Sequence, residues 1–191
     1  MTRVAWAELR LALAGSLRLA RGDRGGLDCF DRSLDGFWRS FRAAIVVYPL
    51  YLVLLTMRVS LTQWQTAGGY RIVAIETIGY VISWVAFPLV MLSVTRWLGR
   101  PHRFFDFMVP YNWCQVPESV LFVLIGLEGE SGVFGTPAAR TIEFAGAVAV
   151  LVYEWFIARV ALDVTRSAAV LVVLVDLALG ALINRASLNL Y

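Results

Sequence analysis

The sequence predicts an all-α fold, a polytopic membrane helical bundle in which five transmembrane helices are preceded by two amphipathic interfacial helices. Of the 191 residues, 59% are hydrophobic and only 16% are charged, whereas a soluble domain is closer to half apolar and one quarter charged. The mean hydropathy is +0.69. Five apolar stretches also approach the ~20 residues that a helix needs to cross a ~30 Å hydrocarbon core. A single helical membrane protein is therefore expected.

The N-terminal residues 1–36 are predicted to form cytoplasmic amphipathic helices, separate from a five-helix transmembrane domain over residues 37–191. Residues 3–21 carry apolar side chains at the three- and four-residue spacing of one helix face. These side chains are Trp6, Leu9, Leu13, Leu17 and Ala20. Such a helix either lies in the lipid headgroups, with its arginines facing anionic lipid, or packs on the cytoplasmic face of the bundle.

A second amphipathic helix is predicted over residues 27–42. Its charged side pairs Asp28 with Arg32 and Asp35 with Arg39, at the i,i+4 spacing that brings side chains together on a helix. Tryptophan and arginine are the residue types that hold such helices at the membrane boundary. The interfacial, lipid-facing anchors are predicted to be Trp6, Arg10, Arg18, Trp38, Arg39 and Arg42.

Five membrane spans are predicted to follow. They cover residues 41–59, 71–97, 104–126, 141–162 and 167–183. The last two are joined only by the short stretch DVTRS, so they must form an antiparallel hairpin.

The placement of arginine predicts how the bundle is oriented. All 17 basic residues are arginine, and 13 of them fall in cytoplasmic segments if the N-terminus is inside. The positive-inside rule therefore favours a cytoplasmic N-terminus and a periplasmic C-terminus. A chain rich in arginine and free of lysine is typical of a GC-rich bacterial genome. We expect a multi-pass protein of the bacterial inner (plasma) membrane.

The third predicted span, FMVPYNWCQVPESVLFVLIG, combines an apolar second half with a polar first half. Pro110 and Pro117 are expected to kink it, because each proline frees a backbone carbonyl one turn earlier. Asn112 and Gln115 can re-satisfy part of that backbone. A kinked helix with polar groups facing inward is common in channels and also in ordinary packed bundles.

Ionisable side chains within spans cost roughly 2.5–3.5 kcal/mol each near the centre on insertion scales, so they indicate a site. Depth estimates place six polar residues in one layer between the midplane and the cytoplasmic side. The candidate intramembrane polar site consists of Asn112, Gln115, Glu118, Glu154, Arg159 and Asp176. Burial of unpaired charge is prohibitive, so at least one carboxylate is expected to be neutral or hydrated.

Three interpretations of this layer are open. In the first, Glu154, Arg159 and Asp176 form a buried network that locks the bundle. In the second, the layer serves transport or a proton relay. In the third, the span boundaries are misplaced or the side chains snorkel at lipid-facing positions. Glu76, near the outer end of the second span, is expected to be an interfacial residue paired with Arg71.

Signatures of catalysis, cofactors and metals are absent from the sequence. It contains no HExxH, Gly-x-Ser-x-Gly or phosphate-loop motif, and His102 has no second ligand near it in sequence. Cys29 and Cys114 match no metal or redox spacing and are expected to be free thiols. We predict a protein that is not an enzyme, holds no cofactor or metal, and does not bind nucleic acid.

The VPYNWCQVP stretch and the closing hairpin YEWFIARVALDVTRSAAVLVVLV resemble the Yip1 family of membrane proteins, as does the plan of five spans with the N-terminus inside. The similarity covers roughly residues 37–185, with Tyr111, Asn112 and Pro117 echoing the third-span signature, although the proline is spaced further than in that pattern. The resemblance implies a non-enzymatic membrane scaffold or accessory subunit. Its expected partners are the bilayer, including anionic lipids, and other membrane proteins or further copies of the chain. The alternative is a small-solute or ion transporter that uses the polar layer.

Overall fold

The computed structural model describes residues 3–131 and 135–191, which are 90% helical and contain no strand. The predicted all-α class is confirmed. The α-helices are α1 (Arg3–Ala20), α2 (Leu34–Ser40), α3 (Arg42–Arg58), α4 (Leu61–Gln63), α5 (Gly69–Trp97), α6 (Phe104–Ser131), α7 (Gly135–Leu162) and α8 (Arg166–Leu188). Short 3₁₀ turns cover Arg24–Cys29 and Pro101–Arg103, and a π-helical turn covers Trp64–Gly68.

Four stretches of the described chain are long and apolar enough to cross a membrane: Leu34–Arg58, Leu61–Trp97, Gly135–Leu162 and Arg166–Leu188. The protein is therefore a multi-pass membrane protein. Helix α6 is as long as α7, but its polar first half lowers its hydropathy and it is not among the four. It continues unbroken through Pro110 and Pro117, so the kinks predicted there stay a prediction.

Helix α6 is the centre of the bundle. It packs against α1, α2, α3 and α7, and nearly every side chain from Phe104 to Val116 is buried. A helix enclosed in this way by other helices can carry polar side chains without exposing them to lipid. The polar half of α6 therefore faces protein.

Helices α5 and α8 form a pair on one side of this centre. Helix α5 packs mainly on α8, and α8 packs on α7. Large side chains join α5 to α3: the Tyr48 hydroxyl lies 2.8 Å from Thr77 Oγ1, and the Tyr80 hydroxyl donates to the Ala44 carbonyl at 2.7 Å. The α7–α8 hairpin predicted from DVTRS is confirmed; Thr165 caps α8 by accepting a hydrogen bond from the Ala168 amide.

Helix α1 packs on the bundle, and Leu9 and Leu13 of the predicted apolar face pack against the core. The face against α6 and α7 is formed by Ala12, Ser16 and Leu19, and the Tyr153 hydroxyl donates to the Ser16 carbonyl at 2.8 Å. Trp6 and Leu17 are exposed. At 100° per residue they lie on a flank away from the centre of the buried face.

The second amphipathic helix was predicted too long and with the wrong ion pairs. Helix α2 begins only at Leu34, because Ser33 caps it through the Gly36 amide. Arg39 binds Glu8 at 3.0 Å and also Asp31, and Arg42 binds Glu8 at 3.1 Å. Arg32 lies 3.5 Å from Asp106. These arginines tie α1 and α6 to α2 and α3 instead of pairing along one helix.

The turn after α1 folds back against it through two glycines. A Cβ on Gly15 would lie 2.9 Å from the Gly26 carbonyl oxygen and 2.8 Å from Cys29 Cβ. Gly15→Val is therefore expected to destabilise the protein by about 1–3 kcal/mol through overpacking, measured as a lower melting temperature in detergent. Ala14→Val, on the exposed side of α1, is the matched control. Equal melting of the two variants would contradict the prediction.

Candidate functional site

A cavity of about 510 Å³ lies between α5, α6, α7 and α8, and we call it the central cavity. It exists because α5 contacts α6 only weakly while α8 is held against both α5 and α7. Its polar walls come from three helices: Asn112 and Gln115 from α6, Glu154 from α7, and Asp176 from α8. Four of the six predicted polar-site residues therefore meet in one cavity.

Glu118 lies one turn further along α6 than Gln115 and neighbours both Glu154 and Asp176. It is 5% exposed, and Glu154 is 9% exposed. Glu118 Oε1 and Glu154 Oε2 have no hydrogen-bond partner among the described residues. The three carboxylates converge, and Glu154 and Tyr111 both lie within hydrogen-bond reach of Asp176, but one oxygen of Glu118 and one of Glu154 remain without a partner.

Arg159 does not join this site, which corrects the predicted layer. Its guanidinium lies 5.5 Å from the centre of the Trp155 ring, and it does not line the central cavity. The Trp155 indole in turn donates to the Arg166 carbonyl at 3.1 Å. Among the described residues, none that lines the cavity is basic, so the carboxylates have no counter-charge from this part of the protein.

An aromatic wall faces the acidic side chains. Trp84 and Phe87 reach the cavity from α5, and Tyr111 reaches it from α6. The Phe87 and Tyr111 rings lie 4.4 Å apart, and the Asp176 carboxylate neighbours the Tyr111 hydroxyl. The cavity therefore combines negative charge with the faces of aromatic rings.

Asn112 lies at the edge of the cavity nearest α2 and is almost fully buried. Its Nδ2 donates to Ser40 Oγ at 2.8 Å, and Ser40 Oγ donates to the Phe37 carbonyl at 2.6 Å. The amide thus fixes α6 against α2 while lining the cavity, a packing role that the sequence did not indicate.

A second cluster, missed by the sequence interpretation, surrounds Glu76 at the opposite end of the bundle from α1; we call it the far-end cluster. Glu76 is 2% exposed and accepts hydrogen bonds from Tyr51 at 2.5 Å, from Tyr191 at 2.6 Å and from Arg58 at 2.8 Å. Arg58 also donates to Asn184 at 3.1 Å. The predicted pairing of Glu76 with Arg71 is wrong, since Arg71 donates to the Leu190 carbonyl.

The central cavity and the far-end cluster are neighbours. A smaller cavity of about 170 Å³ is lined by Tyr51, Arg58 and Glu76, and it shares four lining residues with the central cavity. These are Ser83, Gly180, Ile183 and Asn184. The two cavities therefore adjoin each other between α5 and α8.

The described residues contain no group of three or more His, Cys, Asp or Glu side chains arranged to hold a metal ion. Cys29 and Cys114 are free thiols, as predicted. Comparison with known proteins found no matching family model, no similar curated protein and no similar solved structure. The resemblance to the Yip1 family therefore stays a prediction.

Proposed function

We propose that the protein is a proton-linked carrier of a small solute and that the central cavity is its binding site. The observation that supports this most is the position of Glu154, a buried carboxylate with an unpartnered oxygen that lines a 510 Å³ cavity beside Asp176. Ionisable groups inside membranes are costly, and they are characteristic of substrate and proton pathways.

The alternative of a locking network has less support from this geometry. Such a network requires side chains that satisfy one another, because a partly satisfied buried network destabilises a fold. Here two carboxylate oxygens lack partners, and the arginine expected to compensate them is elsewhere. A proton or a positively charged solute is the natural counter-charge for such a group of carboxylates.

A membrane orientation completes the proposal. With α1 on the cytoplasmic side, α6 also crosses the membrane and brings the number of membrane-crossing helices to five; its polar half is enclosed by the neighbouring helices. The far-end cluster then lies at the periplasmic end of the two adjoining cavities, where the Arg58–Glu76 ion pair closes them. Separation of this pair would open a route between α5 and α8. The proposed location is the bacterial inner membrane, with Trp6 and Trp38 in contact with lipid.

The scaffold role implied by the family resemblance is a second proposal, and the geometry supports it less than it supports the carrier. It calls for partner proteins at the N-terminal helices, yet the Ala12–Ser16–Leu19 face of α1 is already covered by α6 and α7. The exposed flank with Trp6 and Leu17 suits lipid better than a protein partner.

Proton flux into proteoliposomes tests the carrier proposal. The purified chain is reconstituted with a pH-sensitive dye inside, and a potassium gradient with valinomycin imposes an inside-negative potential. We expect acidification above that of protein-free liposomes. Asp176→Asn is expected to reduce this flux about tenfold or more, because it removes a positioned proton acceptor.

Glu143→Gln is the matched control, since Glu143 is an exposed carboxylate of α7. It should leave the flux unchanged. Dicyclohexylcarbodiimide, which modifies protonated carboxyl groups in apolar surroundings, should label Glu118 or Glu154 and spare Glu143. The proposal fails if the wild-type protein shows neither flux above protein-free liposomes nor labelling of these carboxylates.

A further inference from the structure

We propose that the solute of the central cavity is an organic monocation, an amine or quaternary ammonium compound that carries apolar groups. This inference rests on the proposed carrier function and names the class of its substrate. It depends on three properties of the same cavity: its charge, its aromatic wall and its size.

The charge of the cavity selects for a cation. Glu154 and Asp176 line it, Glu118 lies behind them, and no arginine is among the described residues that line it. An anion would meet only like charge in a low-dielectric site. A neutral solute would leave this group of carboxylates without compensation, which is a cost that a cationic headgroup removes.

The aromatic wall selects for a weakly hydrated cation. Trp84, Phe87 and Tyr111 line the cavity on the side of α5 and α6. Ring faces attract ammonium groups, and tryptophan does so best. An alkylated ammonium group gains from this contact because it loses little hydration on entry. A bare inorganic ion prefers several oxygen ligands, and the described residues offer no cluster arranged for one.

The size of the cavity fits a molecule with apolar substituents. About 510 Å³ lies within the usual range of small-molecule sites, which are mostly apolar with a few placed polar groups. Leu177, Leu179 and Ile183 supply apolar surface, while Asn112 and Gln115 can accept hydrogen bonds from an N–H group. The cavity thus has separate places for a charged head and an apolar body.

Equilibrium dialysis with radiolabelled tetraphenylphosphonium against the whole chain in dodecylmaltoside micelles tests this proposal. Saturable binding near one molecule per chain is expected, in excess of empty micelles. Tetraphenylborate has the same shape and the opposite charge, and it should not bind saturably. Trp84→Leu is expected to weaken phosphonium binding about 3- to 30-fold, the range of a desolvated cation–π contact, and Asp176→Asn about tenfold or more.

Trp97→Leu is the matched control, because Trp97 lies on the same helix and is 75% exposed. It should bind like the wild type. If Asp176→Asn does not fold, the comparison of Trp84→Leu with Trp97→Leu decides whether the cavity binds the cation. The inference is overturned by the absence of saturable phosphonium binding, by equal binding of tetraphenylborate, or by unchanged affinity in Trp84→Leu.

These outcomes are separable from those of the carrier proposal. Proton flux without phosphonium binding would support the carrier proposal and contradict the inference that its solute is an organic cation. The protein could also bind phosphonium saturably but neither move protons nor react with carbodiimide. That result would support the cation site and contradict the proton-linked carrier.

Discussion

Replacing Glu76 by alanine is expected to lower the stability of the protein by about 2–4 kcal/mol. Glu76 joins α3, α5 and the segment after α8 through hydrogen bonds from Tyr51, Arg58 and Tyr191. Removal of the carboxylate breaks all three bonds and leaves two tyrosine hydroxyls and one guanidinium without their acceptor. The measurement is the melting temperature of the purified protein in detergent, which should fall by roughly 5–10 °C.

Two further variants make this prediction specific. Glu143→Ala removes an exposed carboxylate from α7 and should change stability by less than about 0.5 kcal/mol. Arg58→Ala should lie between the two, because the Arg58 side chain is 46% exposed and its ion pair is screened by solvent. If Glu76→Ala melts at the same temperature as the wild type, the far-end cluster does not hold α5, α8 and α3 together.

The positions of the membrane-crossing helices were largely predictable from the sequence, because each contains an apolar stretch long enough to cross a membrane. The predicted span 41–59 corresponds to α3 at Arg42–Arg58, and 71–97 corresponds to α5 at Gly69–Trp97. Helix α8 extends to Leu188, five residues past the prediction. Its polar end is still helical because Asn184 bonds to Arg58 across the bundle, and such a tertiary contact has no local signal.

The central position of α6 was not predictable from hydropathy. Hydropathy treats every side chain of a span as if it faced lipid, whereas Asn112 and Glu118 face neighbouring helices. The two prolines and the amides of this segment indicated an inward-facing polar surface. Asn112 and Gln115 line the central cavity, and Glu118 lies beside it.

The errors about the partners of Arg159 and Glu76 share one cause: depth along a helix was estimated, and direction around it was not. Arg159 is five residues from Glu154, and Glu76 is five from Arg71. Five residues correspond to about 500°, which places the two side chains about 140° apart around the helix. Both pairs therefore diverge. The true partner of Glu76 is Arg58 at the matching end of α3, and this pairing of equal depths on antiparallel helices was available from the sequence.

Replacing Glu118 by methionine is expected to raise stability by about 1–3 kcal/mol, since a buried carboxylate without compensation is replaced by an apolar side chain of similar length. The Glu118 Oε1 atom has no partner among the described residues, and two further carboxylates neighbour it. The variant should melt at a higher temperature in detergent and lose proton flux in the liposome assay. A gain in stability with a loss of function is the pattern expected where a site is kept at the expense of the fold.

Gln115→Met provides the comparison for this variant. Gln115 lies one turn earlier on α6 and is only half-buried, so the change removes a polar group that carries no charge and should alter stability little. If Glu118→Met instead melts well below the wild type, Glu118 makes a favourable interaction in the folded protein. Glu118 would then belong to a locking network, whereas Glu154 and Asp176 would still line the central cavity. The sign of this stability change thus shows whether the Glu118 carboxylate is compensated in the folded protein or is kept there at a cost to stability.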